Sequence, residues 1–237
     1  MLPHHDEPLP THNHILATLP RQNLKRVLTG LERVEFQYAQ VLYEPQESIG
    51  YVYFPLNSLV SLLTAVDQGR TLEVGMVGNE GMVGMPMALG IGVSAVQALV
   101  QGGGVALRMS AARFRTEIKQ NLPLQKALFR YNHLLMAQVS QTAACNRFHN
   151  AEQRLARWLL MTRDRVHASA FRLTQEFLSH MLGIRRVGVT TAASALERRN
   201  LIGYSRGNIR ITNPAGLETA ACICYRIVKD LQDHTHD

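Results

Sequence analysis

The chain has 237 residues, 46% of them hydrophobic and 18% charged, and a net charge of +7. That length suits two small domains, and the apolar content is enough for cores without covalent staples. Three cysteines, Cys145, Cys222 and Cys224, exclude a disulfide framework and a four-cysteine zinc pattern, and no apolar run reaches the roughly 18 residues of a membrane span.

Residues 1–14, MLPHHDEPLPTHNH, carry no basic stretch followed by an apolar run. No signal peptide is expected, and the protein is expected in the cytoplasm. His4, His5, His12 and His14 have no spacing that fixes a metal geometry, so this segment is expected to be a flexible tail. Residues 15–33 read as helical, with Leu24, Val27, Leu28 and Leu31 at helical spacing. From about 34 to 109 the pattern changes to short runs rich in Val, Leu and Tyr, broken by Pro, Asn-Ser, Asp-Gln-Gly and Gly-Gly-Gly. Such runs indicate a β-sandwich or barrel. Gly78, Gly81 and Gly84 read as tight turns, because no Lys-Ser/Thr follows to make a phosphate loop.

Helical period returns near 111 and leads into a long helix over about 123–149. Leu124, Leu128, Tyr131, Leu135, Gln138, Thr142, Cys145 and His149 recur at 3–4 spacing. That seam suits a partner helix, and a dimer seam is the expectation; the alternative is a helix packed on its own β-domain. Ala151–Arg165 forms a second amphipathic helix, with Leu155, Trp158, Leu159 and Met161 on its apolar side, followed by VHASAF, read as a loop. Cys145 reads as a buried thiol that could also bridge subunits. Cys222 and Cys224 read as helix-packing residues.

The charge is uneven: residues 1–150 hold 12 Lys/Arg against 10 Asp/Glu, and residues 151–237 hold 13 against 8. A basic C-terminal third suits a polyanionic partner, and a solvated basic surface is the alternative. Within it, LTQEFLSHMLG offers Thr174 as an N-cap and Gly183 as a stop. A second short helix follows, with Val189, Ala192, Ala193 and Leu196 facing inward, so the pair reads as a helix-turn-helix. Arg185 and Arg186 stand at the second helix's N-terminus, where they oppose the helix dipole. A stability-only sequence would place acids there. An arginine there can instead read guanine in the major groove, discriminating by roughly 1–3 kcal/mol. YSRGNIRI reads as a β-hairpin wing with Arg206, Gly207 and Asn208 at its tip; Arg206 and Arg210 are expected on phosphate.

Together, RLARWLL, LTQEFLSHMLGIRRVGVTTAASALERRNLI, the wing, the long helix and the β-rich region resemble the Crp/Fnr family of bacterial transcription regulators. The match over about 151–212 is the specific part; the N-terminal match is one of architecture. The resemblance implies an α+β chain: an N-terminal antiparallel, cyclic-nucleotide-binding-like β-roll (15–120), a dimerisation helix (121–149) and a C-terminal winged helix-turn-helix (150–237). It implies a homodimer on an inverted-repeat DNA site, with RNA polymerase as a further partner if the protein activates. Carried over residue by residue, DNA contacts fall on Thr174, Gln175, Arg185, Arg186, Val187, Thr190, Thr191, Arg206 and Asn208. Cyclic-AMP-responsive members have Glu where Val187 stands and a second reading Arg where Thr191 stands, which implies a different half-site.

Cyclic-nucleotide-binding members carry Gly-Glu where this chain has Gly84-Met85, and an Arg before Ser-Ala where Val93 precedes Ser94-Ala95. A buried phosphate would lose its partner, so no cyclic nucleotide is expected. Met85, Val93 and Ser94 mark the corresponding effector position, and Met82, Met85, Met87 and Leu89 read more readily as a filled core than as a pocket for an apolar ligand. No cysteine precedes Cys145 for an iron–sulfur cluster, and no histidine lies between His14 and His133 for haem. No catalytic residue, metal site or cofactor is assigned. The competing readings are an interaction scaffold without DNA binding and an enzyme built on the β-roll, which the histidine-free β-region argues against.

Overall fold

The computed structural model describes residues 10–67, 70–205 and 207–235. Chain order begins with α1 (His14–Ala17) and α2 (Arg21–Leu28), with Pro20 closing the N-terminus of α2. The expected helix over 15–33 is thus two pieces, because proline has no N–H to continue a helix, and it ends at Leu28, with Glu32 and Arg33 already in the first strand. Five strands follow: β1 (Glu32–Phe36), β2 (Val41–Tyr43), β3 (Tyr51–Pro55), β4 (Leu59–Asp67) and β5 (Arg70–Val77). A 3-10 turn at Met85–Leu89 leads to β6 (Gln97–Gly102), β7 (Gly104–Ser110), α3 (Ala111–Gln120) and α4 (Leu122–Phe148). The C-terminal part runs α5 (Ala151–Val166), β8 (Ala170–Arg172), α6 (Gln175–Leu182), α7 (Arg186–Arg198), β9 (Ile202–Ser205), β10 (Asn208–Ile211), α8 (Pro214–Ala220) and α9 (Cys224–Thr235). The sheets have orders β1-β7-β3, β2-β6-β4-β5 and β8-β10-β9. This is the α+β combination of antiparallel sheets, one long helix and a C-terminal helix-turn-helix that the sequence implies.

The described residues divide into two units. The first takes the chain up to Val60 together with Val77–Asn132; the second takes Ser61–Met76 together with the chain from His133 onward.

In the first unit, β7 pairs antiparallel with both β1 and β3, placing Val52 opposite Met109 and Phe54 opposite Leu107. β3 and β7 are buried along most of their length and contribute Phe54 and Met109 to a core that also holds Leu56 and Phe114. Gly104 has φ +150 and lies against Asn57, where a Cβ would come within 2.9 Å of the Asn57 carbonyl oxygen. Asn57 Oδ1 accepts the Val105 N–H at 2.7 Å.

Residues 10–14 correct the expectation of a loose tail. Pro10–His12 forms a 3-10 turn, and Asn13 is fully buried. Asn13 Nδ2 donates to the carbonyls of Pro55 (3.0 Å) and Gly81 (2.8 Å), while its Oδ1 accepts from Leu16 N–H and caps α1. A buried amide with three partners fixes the backbone around it. Residues 1–9, with His4 and His5, lie outside the described residues.

In the second unit, α5 is the central helix. A capping box starts it: Asn150 Oδ1 accepts from Gln153 N–H, and Gln153 Oε1 accepts from Asn150 N–H. Leu155, Leu159 and Leu160 are fully buried, with Leu178, Val189, Leu196 and Leu217 from α6, α7 and α8. The rings of Trp158 and Phe177 meet edge to face at 6.5 Å. VHASAF is only partly a loop, because Ala170–Arg172 pairs with β10 as a third strand.

The segment 61–76 belongs to this unit, a departure from the continuous 15–120 sensor domain expected. Its contacts give the reason. Trp158 Nε1–H donates to Glu73 Oε1 at 2.9 Å, and Ser61 Oγ donates to Glu73 Oε2 at 2.6 Å. Gln138 bonds both backbone groups of Met76. Burial pushes the Glu73 carboxyl up to about 7, against the pull of those two hydrogen bonds and of the Arg157 and Arg165 charges.

Candidate nucleic-acid interface

The helix pair forms as its sequence dictates. Thr174 caps α6, its Oγ1 accepting the Phe177 N–H at 3.1 Å. Gly183 ends α6 at φ +60, and Ile184 N–H closes back onto the Ser179 carbonyl at 3.1 Å. A Cβ at position 183 would lie 2.6 Å from Leu72 Cδ1, the movable end of a side chain, so it is the left-handed backbone of the turn that calls for glycine. Arg154 donates to the Leu182 carbonyl and ties the end of α6 to α5.

Beyond the turn, Arg185 is the N-cap of α7 and Arg186 its first helical residue. Val189, Ala192, Ala193 and Leu196 face the core, while Arg185, Arg186, Val187, Thr190 and Thr191 are exposed. Val187 is 69% exposed, an apolar side chain left in solvent beside two arginines. Neither Arg185 nor Arg186 forms an ion pair with another described residue, whereas Arg199 near the far end of α7 is paired with Glu152. Thr190 Oγ1 lies 3.1 Å from Gln175 Oε1 and 3.0 Å from the Arg186 carbonyl; Thr191 Oγ1 donates to the Val187 carbonyl at 2.9 Å. Gln175, at the first position of α6, is thereby brought to the same face as the recognition helix.

The wing is the β9–β10 hairpin, with Asn208 opposite Ser205 and Arg210 opposite Gly203. Gly207 takes φ +77 at its tip. Asn208 and Arg210 are exposed; Arg206 lies outside the described residues. Tyr204 N–H donates to Glu197 Oε1 at 3.0 Å, fixing the hairpin to α7.

The proposed effector position is not assembled on one surface. Met85 and Ser94 are buried, and Val93 is 46% exposed. Ser94 Oγ is committed to its own chain, donating to the Val96 carbonyl at 2.8 Å. Met82 and Met87 are buried with Met85 as a filled core; Leu89 is exposed.

The long-helix seam also needs correction. Leu124, Leu128, Tyr131, Leu135, Gln138 and Cys145 are buried within the chain, so the face read as a dimer seam is the intramolecular one. A different stripe is exposed: Leu122 (57%), Phe129 (47%) and Met136 (57%), spaced by seven. Sequence reasoning also kept Cys145 apart from Cys222 and Cys224 and passed over Glu73. A Cys-x-x-x-His on one helix and a Cys-x-Cys in the only three cysteines of the chain were the available signal. A single glutamate in an alternating strand gave none.

A three-stranded sheet with a hairpin wing, packed on a helix pair whose second helix presents exposed arginines, is a winged helix-turn-helix. Residues 153–220 match the family described as the Crp-like helix-turn-helix domain. The chain is similar in structure to FixK2 from Bradyrhizobium japonicum (TM-score 0.68, 15% identity, covering 81% of this chain and 98% of that one). It is likewise similar to CLP, described as a c-di-GMP responsive global regulator, from Xanthomonas campestris (0.65, 17%, 81% and 99%). A Crp-family transcriptional regulator from Thermus thermophilus, TTHB099, matches as well (0.61, 18%, 80% and 96%). No curated protein sequence matches the chain. The helix-turn-helix is Crp-like, and the chain has the fold of the Crp/Fnr regulators.

Proposed function

We propose that this protein is a transcription regulator that binds a specific inverted-repeat DNA site as a homodimer. The observation that carries the reading is the outer face of α7. Exposed Arg185 and Arg186, without an ion pair among the described residues, exposed Val187, and Thr190 and Thr191 stand opposite a buried apolar face. In the major groove, the N-terminal residues of such a helix meet base edges. Arg186 reads guanine, Val187 contacts a thymine methyl, and Thr174, Gln175, Asn208 and the wing arginines Arg206 and Arg210 hold phosphate.

The exposed Leu122, Phe129 and Met136 stripe of α4 supports the homodimer. Seven-residue spacing keeps such a stripe facing a second copy of the same helix. Residues 150–237 act as the DNA-binding domain and 121–149 as the dimerisation helix. Residues 15–60 with 77–120 act as a sensor-like β-roll that does not take cyclic nucleotide, a reading supported by exposed Val93 where the phosphate's arginine would stand. The chain works in the cytoplasm, contacts RNA polymerase if it activates, and is not an enzyme; no described helix is long and apolar enough to cross a membrane.

The test is selection of DNA from a random pool by the purified chain with no ligand added. Enrichment of an inverted repeat with half-sites about 10 bp apart is the expected result. Enrichment of nothing beyond general, salt-sensitive binding would overturn the ligand-free, sequence-specific reading.

A further inference from the structure

All three cysteines of the chain converge on one place. Cys145 lies in the last turns of α4, Cys222 in the link between α8 and α9, and Cys224 at the start of α9. Their sulfurs and a ring nitrogen of His149 all lie within 4.8 Å of one another. Cys145 Sγ is 3.4 Å from Cys222 Sγ, across 77 positions of sequence, and Cys224 Sγ is 3.4 Å from His149 Nδ1. The thiols are buried and free, and His149 is half-buried.

The backbone is shaped to make this cluster. His149 N–H bonds the Cys145 carbonyl at 3.1 Å, so the helical path continues one residue past α4 and sets both side chains on one face. On the other side, Cys222 and Cys224 turn inward while Ile223 between them is 66% exposed. Packing alone would bury the isoleucine, the larger apolar side chain, and leave the thiols outside.

The surroundings suit an anionic centre. Gln141 Nε2–H donates to Cys224 Sγ at 3.0 Å. Arg157, buried and donating to Thr142 Oγ1 at 2.9 Å, acts electrostatically on Cys145; Arg154 feels both Cys145 and Cys222. Three thiolates, one neutral imidazole and a divalent cation carry a net charge of −1, which buried Arg157 and half-buried Arg154 oppose. Sulfur at about 2.3 Å and nitrogen at about 2.0–2.1 Å from one tetrahedral ion would stand roughly 3.5–3.8 Å apart, close to the two 3.4 Å pairs and inside the 4.8 Å that bounds all four atoms. The cage is too tight for several irons with bridging sulfides.

We propose that Cys145, His149, Cys222 and Cys224 form a metal site that takes one divalent cation, zinc by preference, in tetrahedral coordination. Three thiolates and an imidazole select zinc over the hard, oxygen-seeking cations. Four protein ligands close the tetrahedron and leave no position for substrate, so the site is structural. It pins the end of α4 to the start of α9, and it is independent of the DNA-binding reading. Loading releases the thiol protons to solvent.

The experiment uses the full chain, reduced, stripped by chelator, and titrated with Zn²⁺ and separately with Co²⁺. One zinc per chain is expected, with visible cobalt bands of a tetrahedral thiolate site and all three cysteines protected from alkylation until the metal is removed. Cys222→Ser should weaken zinc binding by more than about 100-fold, beyond what loss of a supporting hydrogen bond does. His149→Gln, at a half-buried position, is the second variant. With its fold verified by circular dichroism, it should alter the cobalt spectrum and weaken zinc in the same direction. A reduced chain that takes up neither ion overturns the site, as does zinc bound equally by the parent and both variants. A chain that binds no metal and instead joins Cys145 to Cys222 in air also overturns it, in favour of a thiol pair.

Discussion

Glu73 is a carboxyl buried between Ser61 and Trp158, and its elevation to about 7 has a thermodynamic sign. The folded state holds this proton more tightly than the unfolded chain, whose carboxyl titrates near 4.5. Between those values the folded state binds more protons, so stability falls as pH rises from about 4.5 through 7 and is level above. The gap corresponds to about 3 kcal/mol at most. Glu73→Gln keeps the shape: its carbonyl can accept from Trp158 and its amide can donate to Ser61 Oγ. Urea denaturation across pH 4–8 should show the slope in the parent and a flatter profile in the variant, with the variant the more stable at pH 8. An identical slope in both would place the titration elsewhere. Nothing in the sequence pointed to this residue, because burial of a lone carboxylate depends on a tryptophan 85 positions away.

At the level of single elements, α7 and α4 were legible to different depths. The inward face of α7 was read correctly from Val189, Ala192, Ala193 and Leu196, since a short amphipathic helix has one apolar stripe and one way to bury it. The same period gave the wrong partner for one face of α4. That helix has two apolar faces, and the richer one, through Leu124, Leu128 and Leu135, is used by its own chain. Periodicity locates a buried face but does not name what buries it. The outer stripe carries the dimer prediction: Phe129→Glu and Met136→Glu should each shift the chain toward monomer in sedimentation equilibrium, with helix content unchanged. Dimers of unaltered strength would remove α4 as the interface.

Division of labour between α7 and the wing is testable in one titration series. Arg186→Ala should cost about 1–3 kcal/mol against the selected site and relax preference at one base position. Arg210→Ala should weaken binding to all sequences alike and reduce the salt slope by about one. Equal, sequence-independent losses for both would contradict base reading by Arg186.

For the molecule as a whole, the order of architectures was legible because composition changes sharply along the chain. Turn-rich Val/Leu/Tyr runs give way to helical period near residue 111, and basic charge collects beyond residue 150. What was not legible is anything that depends on distant segments meeting. Asn13 on the Pro55 and Gly81 carbonyls, Gln138 on Met76, and the gathering of Cys145, His149, Cys222 and Cys224 all join stretches with no shared local pattern. Local propensity gives elements; only packing gives their neighbours.

The pairing of Trp158 with Glu73 therefore bears on how such a protein could be recombined. The C-terminal unit is written in two separate pieces of gene, residues 61–76 and the stretch from 133 onward. A single crossover near residue 150, exchanging the C-terminal halves of two such chains, would import a tryptophan whose indole N–H has lost its carboxylate and leave a buried acid with Ser61 but without its indole donor. A viable chimaera would have to carry the hairpin segment along with the helices, or arrive with both members of the pair already matched.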